Sequence, residues 1–219
     1  MKIILFGATG MVGQGVLREC LLDDGVQSVL AVGRTALEQT HSKLSNLAHA
    51  NLYDYSAIEK SLSGYDACFF CLGVSASGMS EAQYHRITYD LTLAAAQTLS
   101  RLNPQMTFVY VTGMGTDSSE KGRSMWARVK GKTENALLRL PFKAAYMFRP
   151  GMIQPLHGIK SKTGLYRAIY AVTGPLLPVI KALAPSSITT TEQVGRAMIK
   201  VARDGAPHAV LEAADISKY

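Results

Sequence analysis

The turn Gly7-Ala8-Thr9-Gly10-Met11-Val12-Gly13 constrains this chain more than any other feature. It follows a short apolar run, Ile3 to Phe6, and opens a stretch with Val12, Val16, Cys20 and Leu21 at helical spacing. A strand that feeds spaced glycines into a helix is a far stricter signal than the glycines alone. The first glycine permits the tight turn, the second lets backbone approach a pyrophosphate, and the third lets the helix lie close to the strand. The helix start then offers unpaired N–H groups and a positive dipole end to phosphate. Gly7, Thr9, Gly10, Met11, Val12 and Gly13 are therefore expected to hold a dinucleotide.

Apolar runs and helical patterns keep alternating beyond this turn, as in a parallel sheet with crossover helices. Strands are predicted at 28–33, 50–53, 66–72, 106–111, 144–148 and 209–211. Ser80 and Gln83 form a capping-box pattern at the head of a long helix that Asn103-Pro104 stops. A second helix spans about 124–140, and Thr190 and Thr191 cap a third. The pattern predicts an α/β, doubly wound parallel-sheet Rossmann fold in one domain over 1–219. Residues 152–187, rich in proline and glycine, read as a small substrate-side cap, with 164–184 as a partly apolar lid.

The end of the second strand bears on the cofactor. A site for NAD(H) places an acid there for the ribose 2′-hydroxyl, whereas an arginine suits a 2′-phosphate. This chain has Gly33-Arg34-Thr35. The guanidinium can pair with phosphate at two points and Thr35 adds a hydroxyl donor. NADP(H) is the expected cofactor and NAD(H) the alternative.

With 219 residues the chain can bury one sizeable core, and its 18% charged content is ordinary for a globular protein. The formal charge of +7 favours anionic partners. The basic residues are scattered, however, so nucleic acid ranks last among them. The first residues lead directly into a strand, and no stretch reaches the ~18 apolar residues of a membrane span. Cys20, Cys68 and Cys71 are an odd number in apolar surroundings. Cys68 and Cys71 lie on a strand, where their thiols face opposite sides and serve as small hydrophobes rather than zinc ligands. No metal is expected, and these features together lead to the expectation of a cytoplasmic protein.

The order and spacing of these landmarks resemble the atypical short-chain dehydrogenase/reductase superfamily, in particular its small Tat-interacting-protein-like group. The resemblance runs over nearly the whole chain. It rests on the glycine turn, Val32-Gly-Arg34, Asp54, Phe70-Cys-Leu-Gly73, Val109-Tyr-Val-Thr-Gly113, Val129-Lys-Gly131 and Arg149-Pro-Gly151. It implies that Asp54 lies near the adenine and that Leu72 and Gly73 line the cofactor. It further implies that Lys130 holds the nicotinamide ribose and that Pro150 borders the nicotinamide.

Reductases of that superfamily carry Tyr-x-x-x-Lys on one helix and a hydroxyl donor after the fifth strand. Residues four apart share a helix face, and the lysine charge makes the phenol a usable acid. Here Lys130 is present, but position 126 is Trp, whose indole N–H donates a hydrogen bond and does not titrate near neutrality. Thr112 is the nearest candidate hydroxyl, with Thr116, Ser118 and Ser119 farther along. Substitute acids are Tyr84, His85, Tyr89, His157, Tyr166 and Tyr170. Two functions follow: an oxidoreductase or epimerase-like enzyme on a small carbonyl or hydroxyl substrate, with Lys130 and Thr112 as catalytic candidates, or a weakly active or inactive NADP(H)-binding sensor or assembly module. A protein partner or a second copy of the chain stays open.

Overall fold

The computed structural model describes residues 1–159 and 188–219. Its strands are β1 (Lys2–Phe6), β2 (Ser28–Gly33), β3 (Leu44–Ala48), β4 (Ala67–Phe70), β5 (Thr107–Val111), β6 (Ala144–Arg149), β7 (Met152–Gln154), β8 (Ile188–Thr190) and β9 (Val210–Glu212). Seven form one parallel sheet in the order β3-β2-β1-β4-β5-β6-β9. The chain starts near the middle, winds outward to β3, then crosses back past β1 to β4. That reversal leaves a crevice beside the carboxyl end of β1, where ligands of open α/β sheets bind. β7 and β8 pair separately as a short parallel ribbon.

The helices are α1 (Met11–Leu22), α2 (Glu81–His85), α3 (Leu91–Leu102), α4 (Met125–Leu138), α5 (Thr191–Asp204) and α6 (Ala213–Ile216). A π-helical turn, Arg86–Asp90, joins α2 to α3. The central strands are buried on both faces, which is why they read as continuous apolar runs. Ile3, Leu5, Phe69 and Val109 pack with α1 and α5, while Ile4, Phe6, Phe70 and Phe108 pack toward α3. Cys68 and Cys71 fall on opposite faces, and burial pushes both thiols well above their usual range.

α1 and α5 approach closely because each presents a glycine to the other. A methyl at Gly15 would stand 2.5 Å from Thr191 Cβ, and one at Gly195 would stand 2.8 Å from Glu19 Cγ. The expected capping box forms, with Ser80 accepting from the Gln83 amide. Of the two expected caps Thr190 accepts from the Gln193 amide, while Thr191 is the first residue of α5. The expected third strand is corrected. Residues 44–48 form it, and 50–53 belong to the turn that leads into a 3₁₀ helix at Ser56–Leu62. As an edge strand, β3 needs no continuous apolar run, and its Ser45 and Asn46 face solvent. Among the expected cap residues, 160–187 lie outside the described residues, and with them the lid at 164–184. Among the described residues no helix is long and apolar enough to cross a membrane.

Candidate dinucleotide site

The glycine turn has the backbone that its sequence requires. Gly7 has φ +80°, and a Cβ there would stand 2.6 Å from the Leu72 amide nitrogen. A Cβ on Gly13 would stand 2.1 Å from the Gly7 carbonyl oxygen, so α1 could not begin this close to β1 with any larger residue. The Gly10 amide donates to Gly7 O at 2.9 Å, and Gln14 Nε2 donates to Thr9 O at 3.0 Å. Gly10 is the N-cap of α1, with no side-chain cap and no acid in the helix's first turn. The N–H groups of Met11, Val12 and Gly13 therefore face the crevice with no carboxylate of the chain's own competing for them.

A cavity of about 120 Å³ continues from this turn, lined by Thr9, Gly33, Arg34, Thr35, Leu37, Leu52 and Leu72. Arg34 and Thr35 are exposed at its rim. The Arg34 guanidinium makes no hydrogen bond or ion pair to any described residue, so its charge is available to a ligand. Asn46 Oδ1 on β3 accepts from the Leu37 amide at 3.1 Å and shapes this loop. His49 donates its amide to Gly33 O, and its Nε2 lies 2.6 Å from Asp54 O. Asp54 itself is exposed and accepts from the Ser56 amide at 2.9 Å, which holds its carboxyl below the usual range. Its side chain thus engages the first residue of the 3₁₀ helix, and Asp54 is not among the residues that line the cavity, which reaches Leu52. A larger hollow of about 370 Å³, by Phe142, Tyr146 and His208, lies at the amino ends of β6 and β9, away from the ligand-binding edge.

At the other end of the crevice, Lys130 Nζ donates to Thr112 O at 2.7 Å. The structure thus brings the two expected catalytic residues together, through the threonine carbonyl. The Thr112 hydroxyl turns inward, 2.6 Å from Glu134 Oε1 and 3.1 Å from Phe148 O. Burial pulls the Lys130 ammonium down to about 8, with Glu134 acting in the opposite direction. Met114, 57% exposed, donates its amide to Pro150 O at 2.9 Å, which joins the loop after β5 to the end of β6. Leu72 is half-buried at the mouth of β4, and Gly73 beyond it is exposed.

Trp126 is half-buried one turn before Lys130, with its ring edge toward Gly115: a methyl there would stand 3.5 Å from Cη2. The loop hydroxyls are engaged with the protein. Thr116 donates to Gly113 O, Ser119 to Asp117 Oδ1, and Ser118 accepts from Arg149. Of the substitute acids, Tyr84 is buried and His85 pairs with Asp90 at 3.3 Å. Tyr89 lies against His85 and beneath Lys132. His157 pairs with Glu192 at 2.7 Å, and Tyr166 and Tyr170 lie outside the described residues.

Glu19, His157 and Glu192 bring ligand-type atoms within 4.8 Å of one another. Arg18 and Arg196 already bind the same carboxylates, so this is a charge-balanced ion-pair cluster. Sequence reasoning missed Gln14, His49 and, above all, Glu134. An acid four residues after Lys130, in a helix otherwise burying Ala127, Val129, Ala136 and Leu137, was the available signal.

Sheet order, glycine turn and the Lys130 helix together define a Rossmann-type, short-chain-dehydrogenase-like fold built for a nicotinamide dinucleotide. Residues 3–120 match the NAD dependent epimerase/dehydratase family, and the chain belongs to that family. Among curated relatives, an Aspergillus oryzae protein, "fmp52-2, mitochondrial", is 27% identical over 97% of this chain and 93% of its own length. The Scheffersomyces stipitis "FMP52-2, mitochondrial" is 29% identical over 68% of this chain, and the match spans 65% of that protein. Rattus norvegicus "Protein HTATIP2" is 25% identical over 69% of this chain and 62% of its own length. Among solved structures, the Bordetella bronchiseptica enzyme WbmF in complex with NAD+ superposes with TM-score 0.69 at 17% identity, over 99% of this chain and 76% of that one. At that identity the likeness speaks for the fold. The expectation of a cytoplasmic protein is corrected: the fungal relatives are named mitochondrial.

Proposed function

We propose that this chain is a one-domain NADP(H)-binding oxidoreductase for a small carbonyl or hydroxyl substrate, associated with mitochondria as its fungal relatives' names indicate. The observation that carries the cofactor reading is the Arg34 guanidinium, unpaired among the described residues, with Thr35, at the end of β2 where no acid stands. In this reading the turn from Gly7 to Gly13 holds the pyrophosphate and Arg34 with Thr35 the 2′-phosphate. Asp54, Leu72 and Gly73 border the adenosine side, Lys130 holds the nicotinamide ribose, and Pro150 borders the ring. The bound nicotinamide supplies the hydride chemistry. Trp126 can donate a hydrogen bond to a substrate oxygen, but the proton has to come from water or from the substrate.

Trp126 also favours a second reading, a cofactor-binding sensor or assembly module that does not turn over. Multiple-turnover NADPH oxidation with a panel of small ketones and diketones separates the two. Sustained turnover supports the enzyme. NADPH binding without turnover across the panel supports the module, and absence of NADPH binding overturns both.

A further inference from the structure

Beneath the nicotinamide end of the crevice lies a buried charge cluster that no step of the proposed reaction uses. Glu134 is fully buried, yet it is an acid on the same helix face as Lys130, one turn later. It accepts from Thr112 Oγ1 at 2.6 Å and from Arg149 Nε at 3.1 Å, and the Arg149 terminal nitrogen reaches its second oxygen at 2.5 Å. Arg149 is buried as well. It extends to Glu212 on β9 at 3.0 Å and to Ser118 Oγ, and directly precedes Pro150. A bidentate pair of this kind fixes direction as well as charge.

The consequence falls on Lys130. Its ammonium donates to the carbonyl of the same threonine whose hydroxyl rests on Glu134. Thr112 is therefore held on both sides, its amide bonded to Phe148 O and its hydroxyl to Glu134 and Phe148 O, while its carbonyl accepts from Lys130. We propose that Glu134, clamped by Arg149, is the positioning residue that, through Thr112, fixes the Lys130 ammonium at the nicotinamide end of the site. The inference rests on the cofactor reading above only for what Lys130 does next.

The other groups facing this cluster are consistent with that role. Tyr110 on β5 is a neighbour of Glu134, but burial pushes its phenol far up and keeps it neutral. Arg149 stays cationic, held up by its hydrogen bonds to Glu134. Glu134 is thus the negative charge that acts on Lys130, and it opposes the desolvation that would otherwise neutralise the lysine.

The test follows Lys130 by lysine-selective carbon-13 NMR, with its resonance assigned by K130R, alongside NADPH titrations at several pH values. In the unliganded protein, Glu134→Gln should lower the Lys130 midpoint from about 8 by on the order of one pH unit. The alkaline loss of NADPH affinity should move down with it. Thr112→Val keeps the carboxylate and removes only the tether, so it should weaken NADPH binding about tenfold even at pH 6, where Lys130 is charged in both proteins. An unmoved Lys130 midpoint in E134Q, or undiminished NADPH affinity in T112V, overturns the proposal. If E134Q does not fold, T112V decides alone. A wild-type chain that binds no NADPH refutes the cofactor reading, while the unliganded Lys130 titration still judges the role of Glu134.

Discussion

At the scale of single residues, Arg34 and Trp126 carry the most specific expectations. Arg34 stands exposed at the rim of the cavity with no partner among the described residues, so its removal leaves none of them buried and unsatisfied. Arg34→Ala should cost NADPH binding about 1.5–3 kcal/mol, the range for a hydrogen bond to a charged group, and leave NADH binding unchanged. Calorimetric titration of both proteins with both cofactors checks this, and equal losses for the two would refute 2′-phosphate recognition. Trp126 lies one turn before Lys130, where the resemblance to reductases implies a phenol. If proton supply limits turnover, Trp126→Tyr should raise diketone reduction by ~10²–10⁴-fold, the usual contribution of general acid catalysis. No gain in a folded, NADPH-binding variant would mean that the loop from Gly113 to Thr116 leaves no room for a substrate oxygen there. Both residues were legible in the sequence because a short motif fixes their neighbours. Glu134 was not, since its importance lies in Thr112 and Arg149, which are distant along the chain and meet it only in the fold.

At the scale of elements, the glycines explain what periodicity could not. Gly131 sits in the middle of α4, where glycine costs ~1 kcal/mol relative to alanine. The structure supplies the compensation: a methyl there would stand 1.8 Å from Asp117 O, so the loop after β5 lies directly on the helix. Gly131→Ala should therefore destabilise the protein despite alanine's better helix propensity, by roughly 1–3 kcal/mol or more for overpacking. Gly15→Ala should do the same, because its methyl would stand 2.5 Å from Thr191 Cβ and 2.8 Å from the Thr191 carbonyl oxygen across the α1–α5 contact. Urea unfolding of the two variants measures both, and a stability equal to wild type in Gly131→Ala would show that the loop yields freely. The central strands and capped helices could be read in advance, since double-sided burial and capping boxes leave local signatures. The third strand could not. β3 is an edge strand paired only to β2, and its register comes from that partner rather than from its own residues.

At the scale of the whole molecule, the cofactor site and the stability of the fold are linked through Lys130. Its folded-state value of about 8 lies below the 10.5 ordinary for a lysine in an unfolded chain. The unfolded state therefore holds this proton more tightly, and unfolding takes up a proton between those two values. Stability contributed by this residue accordingly rises with pH, from about 8 until both states are neutral near 10.5. In the proposed reading the ammonium meets the ligand, so its loss weakens that contact and cofactor binding should run the other way. A ligand that binds only the folded state stabilises it by about 2.7 kcal/mol at 100 times its dissociation constant. Raising the pH from 7 to 9 should thus stabilise the unliganded protein relative to Lys130→Met, while the gain in stability from NADPH shrinks. The comparison with Lys130→Met is essential, because general relief of the +7 charge acts on both proteins alike and cancels in their difference. Thermal unfolding at the two pH values, with and without NADPH, tests the linkage. Parallel pH trends in the two proteins would mean that the Lys130 ammonium stays charged, solvated and uninvolved in binding.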